Sequence, residues 1–225
     1  MKILITSGGT EEPIDSVRYI TNFSTGRTGA VLAERLNQPG TEVLLLHGHR
    51  AVLPVKEIET DSFITFNDLD RKLKNYISSG DFDFVIHAAA VSDFSVDYLE
   101  TEDGETIQAP ASGKVSSENS FTIHLKKNYK IISRLKNYAP EGKTLIVIGF
   151  KLTDTDSEEM MKQDVVKVLK SGKVDYLVQN NLRDITGNRH PAKIFSADGR
   201  ILFETETKKE MAEKLFSLLE GGLSR

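Results

Sequence analysis

The sequence has no cysteine and no tryptophan among its 225 residues, and neither sign of charge is in large excess. The missing cysteine excludes thiolate nucleophiles, disulfides, cysteine-ligated zinc and iron–sulfur clusters. The formal net charge of −4 argues against a broad surface for a polyanion, so we expect no nucleic-acid partner. No apolar run approaches the ~20 residues of a membrane span, and no leader pattern opens the chain. These absences predict a soluble, cytoplasmic protein without membrane contact.

Apolar runs of strand length alternate with segments of helical period, and we expect one domain over 1–225. The predicted strands are Lys2–Thr6, Glu42–Leu46, Phe82–His87, Thr144–Phe150 and Val174–Val178. The predicted helices are Gly29–Leu36, Leu69–Ile77, Ile131–Tyr138 and Glu158–Leu169, the last capped by Ser157. Continuously apolar strands suit a parallel sheet covered on both faces. The pattern predicts a Rossmann-like, doubly wound, mostly parallel α/β sheet, followed by a C-terminal β-hairpin with an Asp-Gly turn and a final helix, Lys208–Leu219.

One polar stretch, 95–120, departs from this alternation and contains several acidic residues together with Gly104, Pro110 and Gly113. A long irregular stretch inside a compact α/β domain is usually either a disordered loop or a functional lid. Composition alone does not separate these alternatives. We treat 95–120 as a flexible flap. Lys114, within it, is either an exposed loop lysine or a cation that closes over a phosphate.

Ligands of open α/β sheets bind beyond the carboxyl ends of the strands, which directs attention to the residues that follow each strand. Ser7-Gly8-Gly9-Thr10 follows the first strand. Small residues let the backbone approach a ligand, and their N–H groups can hold phosphate oxygens. A Gly-Gly pair after a strand is otherwise only a tight turn, so this motif alone is weak.

A second small-residue segment, Ser24-Thr25-Gly26-Arg27, leads into the first predicted helix. Ser24 or Thr25 is expected to cap that helix, whose N-terminus attracts anions, and Arg27 adds a positive charge. The alternative is an ordinary capped helix with a solvated arginine. Because both segments belong to one end of the sheet, we expect them to bind phosphate together.

A third segment, Ala88-Ala89-Ala90-Val91-Ser92-Asp93, follows another predicted strand. Alanines at a strand end leave room for a flat ring, and Asp93 can bond a nucleoside, help hold Mg²⁺ or simply cap the loop. His87, inside the strand, is expected to be a core residue rather than a ligand. No acidic residue closes the second strand and no Tyr-x-x-x-Lys pair exists, which disfavours an NADP-dependent reductase. A nucleotide-binding module without chemistry remains open at this level.

The segment Thr6–Arg18, continued by Ile20–Gly26, resembles the signature of phosphopantothenate–cysteine ligases. Ala88–Phe94, Gly149–Leu152 and Asn180-Asn181 fit the same family in the same order, so the resemblance extends over nearly the whole chain. It implies a single ligase domain. It also implies the stand-alone form, without the flavin-dependent decarboxylase that precedes this domain in many bacteria, and therefore no flavin.

The resemblance implies a reaction of coenzyme A biosynthesis. A nucleoside triphosphate with Mg²⁺ activates the carboxylate of 4′-phosphopantothenate, giving an acyl nucleotide and pyrophosphate. The amine of L-cysteine then displaces the nucleotide and forms an amide. Such chemistry rests on positioning and charge stabilisation and needs no protein nucleophile. Family members are homodimers, so we expect a homodimer here.

The resemblance also implies roles for single residues. Asn22 and Lys114 are the implied catalytic residues, and Asn22 and Arg18 are the implied contacts with phosphopantothenate. The residues implied in nucleotide binding are Ser7, Gly8, Gly9, Thr10, Ser24, Thr25, Gly26, Arg27, Ala89, Ala90, Asp93 and Phe150, and no protein metal ligand is assigned.

The flap departs from the pattern of many bacterial relatives, which carry Lys-x-Lys-Lys where this chain reads Lys114-Val115-Ser116-Ser117. Bacterial members favour CTP and animal members ATP, and this flap resembles both the animal enzymes and stand-alone bacterial ones. We expect CTP, with ATP as the alternative.

Overall fold

The computed structural model describes residues 1–116 and 120–222, and Ser117 of the flap motif lies outside them. The strands within these residues are β1 Lys2–Ser7, β2 Glu11–Pro13, β3 Tyr19–Thr21, β4 Glu42–Gly48, β5 Glu59–Phe63, β6 Phe84–His87, β7 Phe94–Thr101, β8 Thr106–Gln108, β9 Phe121–Lys127, β10 Ile146–Thr153, β11 Tyr176–Asn181, β12 Ala192–Ser196 and β13 Ile201–Thr205. The helices are α1 Arg27–Leu36, α2 Phe66–Ser79, α3 Leu135–Tyr138, α4 Glu158–Lys170 and α5 Lys208–Gly222.

The main sheet has eight strands in the order β13-β12-β11-β10-β6-β1-β4-β5. Six neighbouring strands run parallel to one another: β11, β10, β6, β1, β4 and β5. At the β11 edge, β12 pairs antiparallel with β11, and β13 pairs antiparallel with β12. This confirms the expected doubly wound, mostly parallel sheet and the C-terminal hairpin. The chain passes from β1 to β4 and β5 on one side of β1 and then crosses through α2 to β6 on its other side, so the ends of β1 and β6 form a natural crevice.

Helices cover both faces of the sheet, as its continuously apolar strands require. On one face, Leu32 and Leu36 of α1 pack with Met211 and Leu215 of α5. On the other face, α2, α3 and α4 pack over a core that includes Leu69 of α2 and Val147 of β10. Central strands buried on both sides explain why their sequences lack alternation.

Two helix predictions need correction. Neither Ser24 nor Thr25 caps α1, because the cap is Gly26 in a left-handed conformation, φ 73°, with no side-chain hydrogen bond. The segment Ile131–Tyr138 is not one helix but a 3₁₀ turn at Ile131–Ser133 followed by the short α3. The cap of α4 is as predicted, since the Ser157 side chain accepts a hydrogen bond from the Met160 N–H.

The prediction of an irregular stretch over 95–120 is wrong for 95–101 and 106–108, which are strands. Strands β7, β8 and β9 form a separate three-stranded antiparallel sheet, and residues 109–116 pass from β8 toward β9. This flap sheet buries a small core around Ile14, Val96 and Leu99, to which Val115 also packs. The strands were missed because their buried apolar residues are few and widely spaced among charges. Flexibility of the flap stays a prediction.

Among the helices of the described residues, none combines the length and the apolar composition needed to cross a membrane.

Candidate active site at the ends of β1 and β6

The loops that follow β1 and β6 are joined by backbone hydrogen bonds. Ala88 N–H donates to the Thr6 carbonyl at 3.2 Å, and Ala90 N–H donates to the Gly8 carbonyl at 2.8 Å. Thr10 N–H donates back to the Ala90 carbonyl at 3.2 Å, and Gly9 bridges Ala90 in parallel. Pairing therefore continues past both strands. This places the first and third predicted segments side by side.

Side-chain hydrogen bonds also hold these two loops together. The Thr6 hydroxyl lies 2.9 Å from Nδ1 of the buried His87 and accepts a hydrogen bond from Ala89 N–H at 3.2 Å. The Thr10 hydroxyl accepts from Ser92 N–H at 3.0 Å. Burial lowers the pKa of His87 to about 4, so the imidazole is neutral at pH 7. The expectation that His87 is a core residue is confirmed.

Two glycines bring the start of α1 against the same edge. Gly8 and Gly26 both have positive φ, 78° and 73°, which disfavours other residues. A Cβ on Gly26 would lie 2.5 Å from the Ala51 Cβ, and one on Gly8 would lie 2.8 Å from the same atom. The same Cβ on Gly26 would also lie 3.4 Å from the Gly8 nitrogen. The second predicted segment thus joins the first.

The side chains of Ser7 and Thr10 do not face the site. Ser7 is 1% exposed and packs under the first turn of α1, where a Cβ on Gly29 would lie 2.1 Å from its own Cβ. Thr10 is fully buried. If these residues contact a phosphate, they do so through the backbone, because a buried hydroxyl cannot reach a ligand in the crevice.

A cavity of about 320 Å³ opens where these segments meet. It is lined by Gly9, Glu11, Tyr19, Thr21, Asn22, Phe23, Ser24, Thr25, Arg50, Ala51 and Val52. The predicted residues Gly9, Asn22, Ser24 and Thr25 are in this lining. Arg18, Asp93, Lys114 and Phe150, all of which the structure describes, are outside it.

Arg50 is a cation of this cavity that the sequence reasoning missed. Its Nε lies 3.2 Å from a Glu11 carboxylate oxygen, and its guanidinium lies 5.0 Å from the centre of the Tyr19 ring. It follows the carboxyl end of β4, so the same strand-end rule that identified Ser7–Thr10 applies to it. The cavity therefore holds one paired cation beside the start of α1.

Asn22 connects the β2–β3 hairpin to this edge. Its side-chain amide donates a hydrogen bond to the Val91 carbonyl at 3.1 Å. The Thr21 hydroxyl donates to the Thr10 carbonyl at 2.7 Å. Asn22 itself is exposed and lines the cavity, so its amide can rotate toward a ligand while the neighbouring Thr21 holds the backbone in place.

The start of α1 offers weakly bonded N–H groups. Gly26 N–H reaches only the Ser24 hydroxyl, and Arg27 N–H only the Thr25 hydroxyl, each at 3.4 Å. Arg27 is exposed at the first position of the helix. Weakly bonded amides, the helix dipole and this guanidinium together favour an anion at this end of α1.

Two predicted nucleotide contacts lie farther along the same edge. Asp93 is exposed, and its carboxylate forms an ion pair with the Lys130 ammonium group. Phe150 follows Gly149, which is in register with His87, so Phe150 lies beside the Ala88 end of β6. Its ring is partly buried against the α1–α5 face. Ala89 and Ala90 are half-buried.

Arg18 and Lys114 lie at the flap. The Arg18 guanidinium donates to the Asp15 carboxylate and to the Val115 carbonyl, and Lys114 is an exposed neighbour of Val115. Arg18 belongs to the turn of the β2–β3 hairpin, and three residues lie between it and Asn22. The structure therefore brings Arg18 and Lys114 together but does not bring them to the cavity.

A second cavity, about 510 Å³, lies between α4 and the C-terminal hairpin and includes Asn180 and Asn181 in its lining. The Asn181 side chain bonds the backbone of Thr155 through both its oxygen and its nitrogen. That geometry fixes the loop after β10. Across residues 1–116 and 120–222, no three histidine, aspartate or glutamate side chains form a cluster able to hold a metal ion.

Residues 1–222 match the family described as DNA/pantothenate metabolism flavoprotein C-terminal domain. The chain is 29% identical over 221 residues to the coenzyme A biosynthesis bifunctional protein CoaBC of Thermococcus kodakarensis, covering 97% of this chain and 51% of that protein. The protein of the same name from Methanocaldococcus jannaschii is 31% identical over 183 residues, covering 80% and 40%. The chain thus spans about half the length of the curated relatives it matches.

Among solved structures, the DNA/pantothenate metabolism flavoprotein from Streptococcus pneumoniae superposes with a TM-score of 0.85 at 31% identity, covering 98% of this chain and 99% of that one. The C-terminal domain of a CoaBC protein superposes with a TM-score of 0.73 at 27% identity, covering 99% and 95%. These likenesses extend over the sheet, both helical layers and the flap sheet. The chain therefore belongs to the family of DNA/pantothenate metabolism flavoprotein C-terminal domains.

Proposed function

We propose that the chain joins 4′-phosphopantothenate to L-cysteine through an acyl-nucleotide intermediate, a step of coenzyme A biosynthesis. The observation that carries the proposal is the meeting of three segments at one sheet edge: the Gly8-Gly9 loop, the start of α1 and the Asn22 hairpin. The matched relatives carry coenzyme A biosynthesis in their names. We further propose that the enzyme acts in the cytoplasm as a homodimer.

The first step needs two anions to approach each other. A carboxylate oxygen of phosphopantothenate attacks the α-phosphorus of the nucleotide, and the bond to the β-phosphate breaks to release pyrophosphate. Positive charge and N–H groups lower this barrier by offsetting the charge that gathers on the phosphates. The weakly bonded amides and the Arg27 side chain at the start of α1, together with Arg50 of the cavity lining, are proposed to supply such groups.

The second step forms the amide. The cysteine amine attacks the acyl carbon and loses a proton, and the bond between that carbon and the oxygen bridging to phosphorus breaks. The nucleoside monophosphate leaves with the bridging oxygen. Asn22 is proposed to orient the acyl group, and its place in the cavity lining with a hydrogen bond to the Val91 carbonyl supports this role. No thiol of the protein competes for the acyl group, since the chain has no cysteine.

The nucleotide is proposed to lie along Ala89, Ala90, Asp93 and Phe150, with CTP as the favoured activator and ATP as the alternative. It enters as its Mg²⁺ complex, which is part of the substrate. Mg²⁺ prefers phosphate oxygens, water and one or two carboxylates, and Asp93 is the candidate carboxylate on this edge. No flavin is required by the proposed chemistry.

The test is turnover by the purified chain. We expect pyrophosphate release from CTP that requires phosphopantothenate, and amide formation that also requires cysteine, with slower turnover on ATP. Faster turnover on ATP would reverse the nucleotide assignment and leave the ligase assignment intact. Nucleotide binding without pyrophosphate release, with either nucleotide, would contradict the proposal and indicate a binding module.

A further inference from the structure

We propose that the Asp15–Arg18 ion pair is a positioning device for Lys114, holding the flap from the turn of the β2–β3 hairpin; this rests on the function proposed above. The pair grips a single residue, Val115, by both of its backbone groups. Val115 N–H donates to Asp15 Oδ2 at 3.1 Å, and the Val115 carbonyl accepts from Arg18 Nη2 at 2.9 Å. Lys114 is adjacent, so its Cα lies about 3.8 Å from the held Cα.

The grip is built rather than incidental. The Asp15 side chain has no exposed surface and accepts hydrogen bonds from Val17 N–H at 2.9 Å and Arg18 N–H at 2.8 Å. The Arg18 Nε and Nη2 bond Asp15 Oδ2 at 2.9 and 2.5 Å. The bonds from Arg18 hold the pKa of the Asp15 carboxyl well below its usual value, so it stays charged at any working pH.

Neighbouring contacts direct the guanidinium to this task. Its carbon lies 5.1 Å from the centre of the Phe121 ring at the start of β9. Ala111 N–H donates to the Ile14 carbonyl at 3.1 Å, which ties the other side of the loop to the same turn. Arg18 is thereby occupied on two sides by the flap. A positioning role explains its place better than direct contact with phosphopantothenate.

A fixed Val115 limits where the Lys114 ammonium can go. The side chain extends from an anchored backbone instead of from a free loop, which cuts the entropy lost when it meets a phosphate. Displacement of a charged group by about 1 Å can cost ~100-fold in rate. The ion pair is thus expected to act on kcat through Lys114, with little effect on substrate affinity.

The test compares Asp15→Asn, Arg18→Gln, Arg18→Lys, Lys114→Ala and the Arg18→Gln/Lys114→Ala double variant. Arg71→Gln is the matched control, because Arg71 and Asp68 form a pair of the same spacing on α2, outside the site. Thermal unfolding verifies that each variant is folded. Arg18→Lys keeps the charge but lacks the fork that reaches two acceptors, so it serves if Arg18→Gln fails to fold.

The first readout is hydrogen exchange of residues 111–116 in the ligand-free protein. We expect exchange of the Val115 amide to rise about tenfold or more in Asp15→Asn and Arg18→Gln, and to stay unchanged in Arg71→Gln. This readout does not depend on ligase activity. Unchanged protection of Val115 in both variants would overturn the proposal.

The second readout is steady-state turnover. We expect Lys114→Ala to lower kcat ~100-fold and Arg18→Gln to lower it about tenfold or more, with KM nearly unchanged. The double variant should be no slower than Lys114→Ala, because Arg18 acts through that lysine. If the two losses multiply instead, Arg18 contacts substrate and the proposal is wrong. If the wild-type chain is active and the Arg18→Gln variant has the same kcat, only this inference is contradicted. A wild-type chain that forms no amide contradicts the proposed function, and this role with it.

Discussion

The two parts of the proposed site are built in different ways. The edge formed by the β1 and β6 loops is held by backbone hydrogen bonds and by glycines packed against backbone, with its polar side chains buried. The flap loop is held to the β2–β3 turn by the Asp15–Arg18 ion pair and the Ala111–Ile14 hydrogen bond, and its own sheet encloses only a small core. The edge therefore rests on continuous backbone pairing and close packing, whereas the flap loop rests on a few side-chain and backbone contacts.

The largest expected effect sharpens this comparison at the edge. Gly26→Ala adds a Cβ 2.5 Å from the Ala51 Cβ at a left-handed position. We expect a loss of about 3 kcal/mol in the free energy of unfolding, combining ~1 kcal/mol for the conformation with ~2 kcal/mol for overpacking. Denaturant unfolding measures the loss.

Gly40→Ala is the matched control for this substitution. Gly40 also has positive φ, 82°, but a Cβ there would have no atom within 4 Å. It should cost only the ~1 kcal/mol of the left-handed conformation. Equal costs at the two positions would show that the edge is not tightly packed.

Acid should separate the two parts. Burial lowers the pKa of His87 from 6.5 to about 4. Between these two pH values the imidazole is protonated in the unfolded chain and neutral in the folded one. The neutral imidazole contributes stability that is full above pH 6.5 and falls as pH drops toward 4, by about 1.4 kcal/mol per pH unit. The Asp15 pKa is lowered instead, so its stabilisation begins to fall only below 3.8.

We therefore expect a window between pH 6.5 and 4 in which the edge weakens and the flap anchor does not. Measuring the free energy of unfolding as a function of pH gives its slope. His87→Gln should reduce that slope by about 1.4 kcal/mol per pH unit, the value for one proton. Hydrogen exchange of Ala88 and Ala90 against that of Val115 gives the local contrast. A pH-independent stability across this window would contradict the neutral, buried state of His87.

The smallest effect is expected at Asp93. Its ion pair with Lys130 is exposed, so Asp93→Asn should change the free energy of unfolding by under ~1 kcal/mol. We expect a several-fold higher KM for the nucleotide with kcat nearly unchanged, as for loss of a binding contact. Steady-state kinetics against nucleotide concentration measures this. An unchanged KM would remove Asp93 from the nucleotide site.

Sequence reasoning was accurate where burial dictates composition. The parallel strands, the Ser157 cap and the core position of His87 follow from apolar runs and helix signals, and the structure confirms them. It was inaccurate where long-range packing decides. The α1 cap is Gly26 because Ala51 and Gly8 press on it, and neither lies near it in sequence.

The flap shows the same limit. Paired residues of strands β7 and β9 lie twenty or more positions apart in sequence. Charged residues separate their few apolar residues, so the sequence shows no clear strand pattern there. The Asp15–Arg18 grip on Val115 spans about one hundred residues, so no local pattern announces it. For the site, motifs located Gly9, Asn22, Ser24 and Thr25 at the cavity, whereas Arg50 became evident only in the fold.

The β2–β3 hairpin joins two distant tasks in one short element. Asn22 leaves one end of it toward the Val91 carbonyl, and the Asp15–Arg18 turn at the other end holds Val115. Only the three residue pairs of β2 and β3 separate these two contacts, so a displacement at one contact can reach the other through the hairpin. Any coupling between two such sites is reciprocal, so each contact would change the free energy of the other by the same amount. The hairpin thereby offers a route by which filling one part of the proposed site favours filling the other.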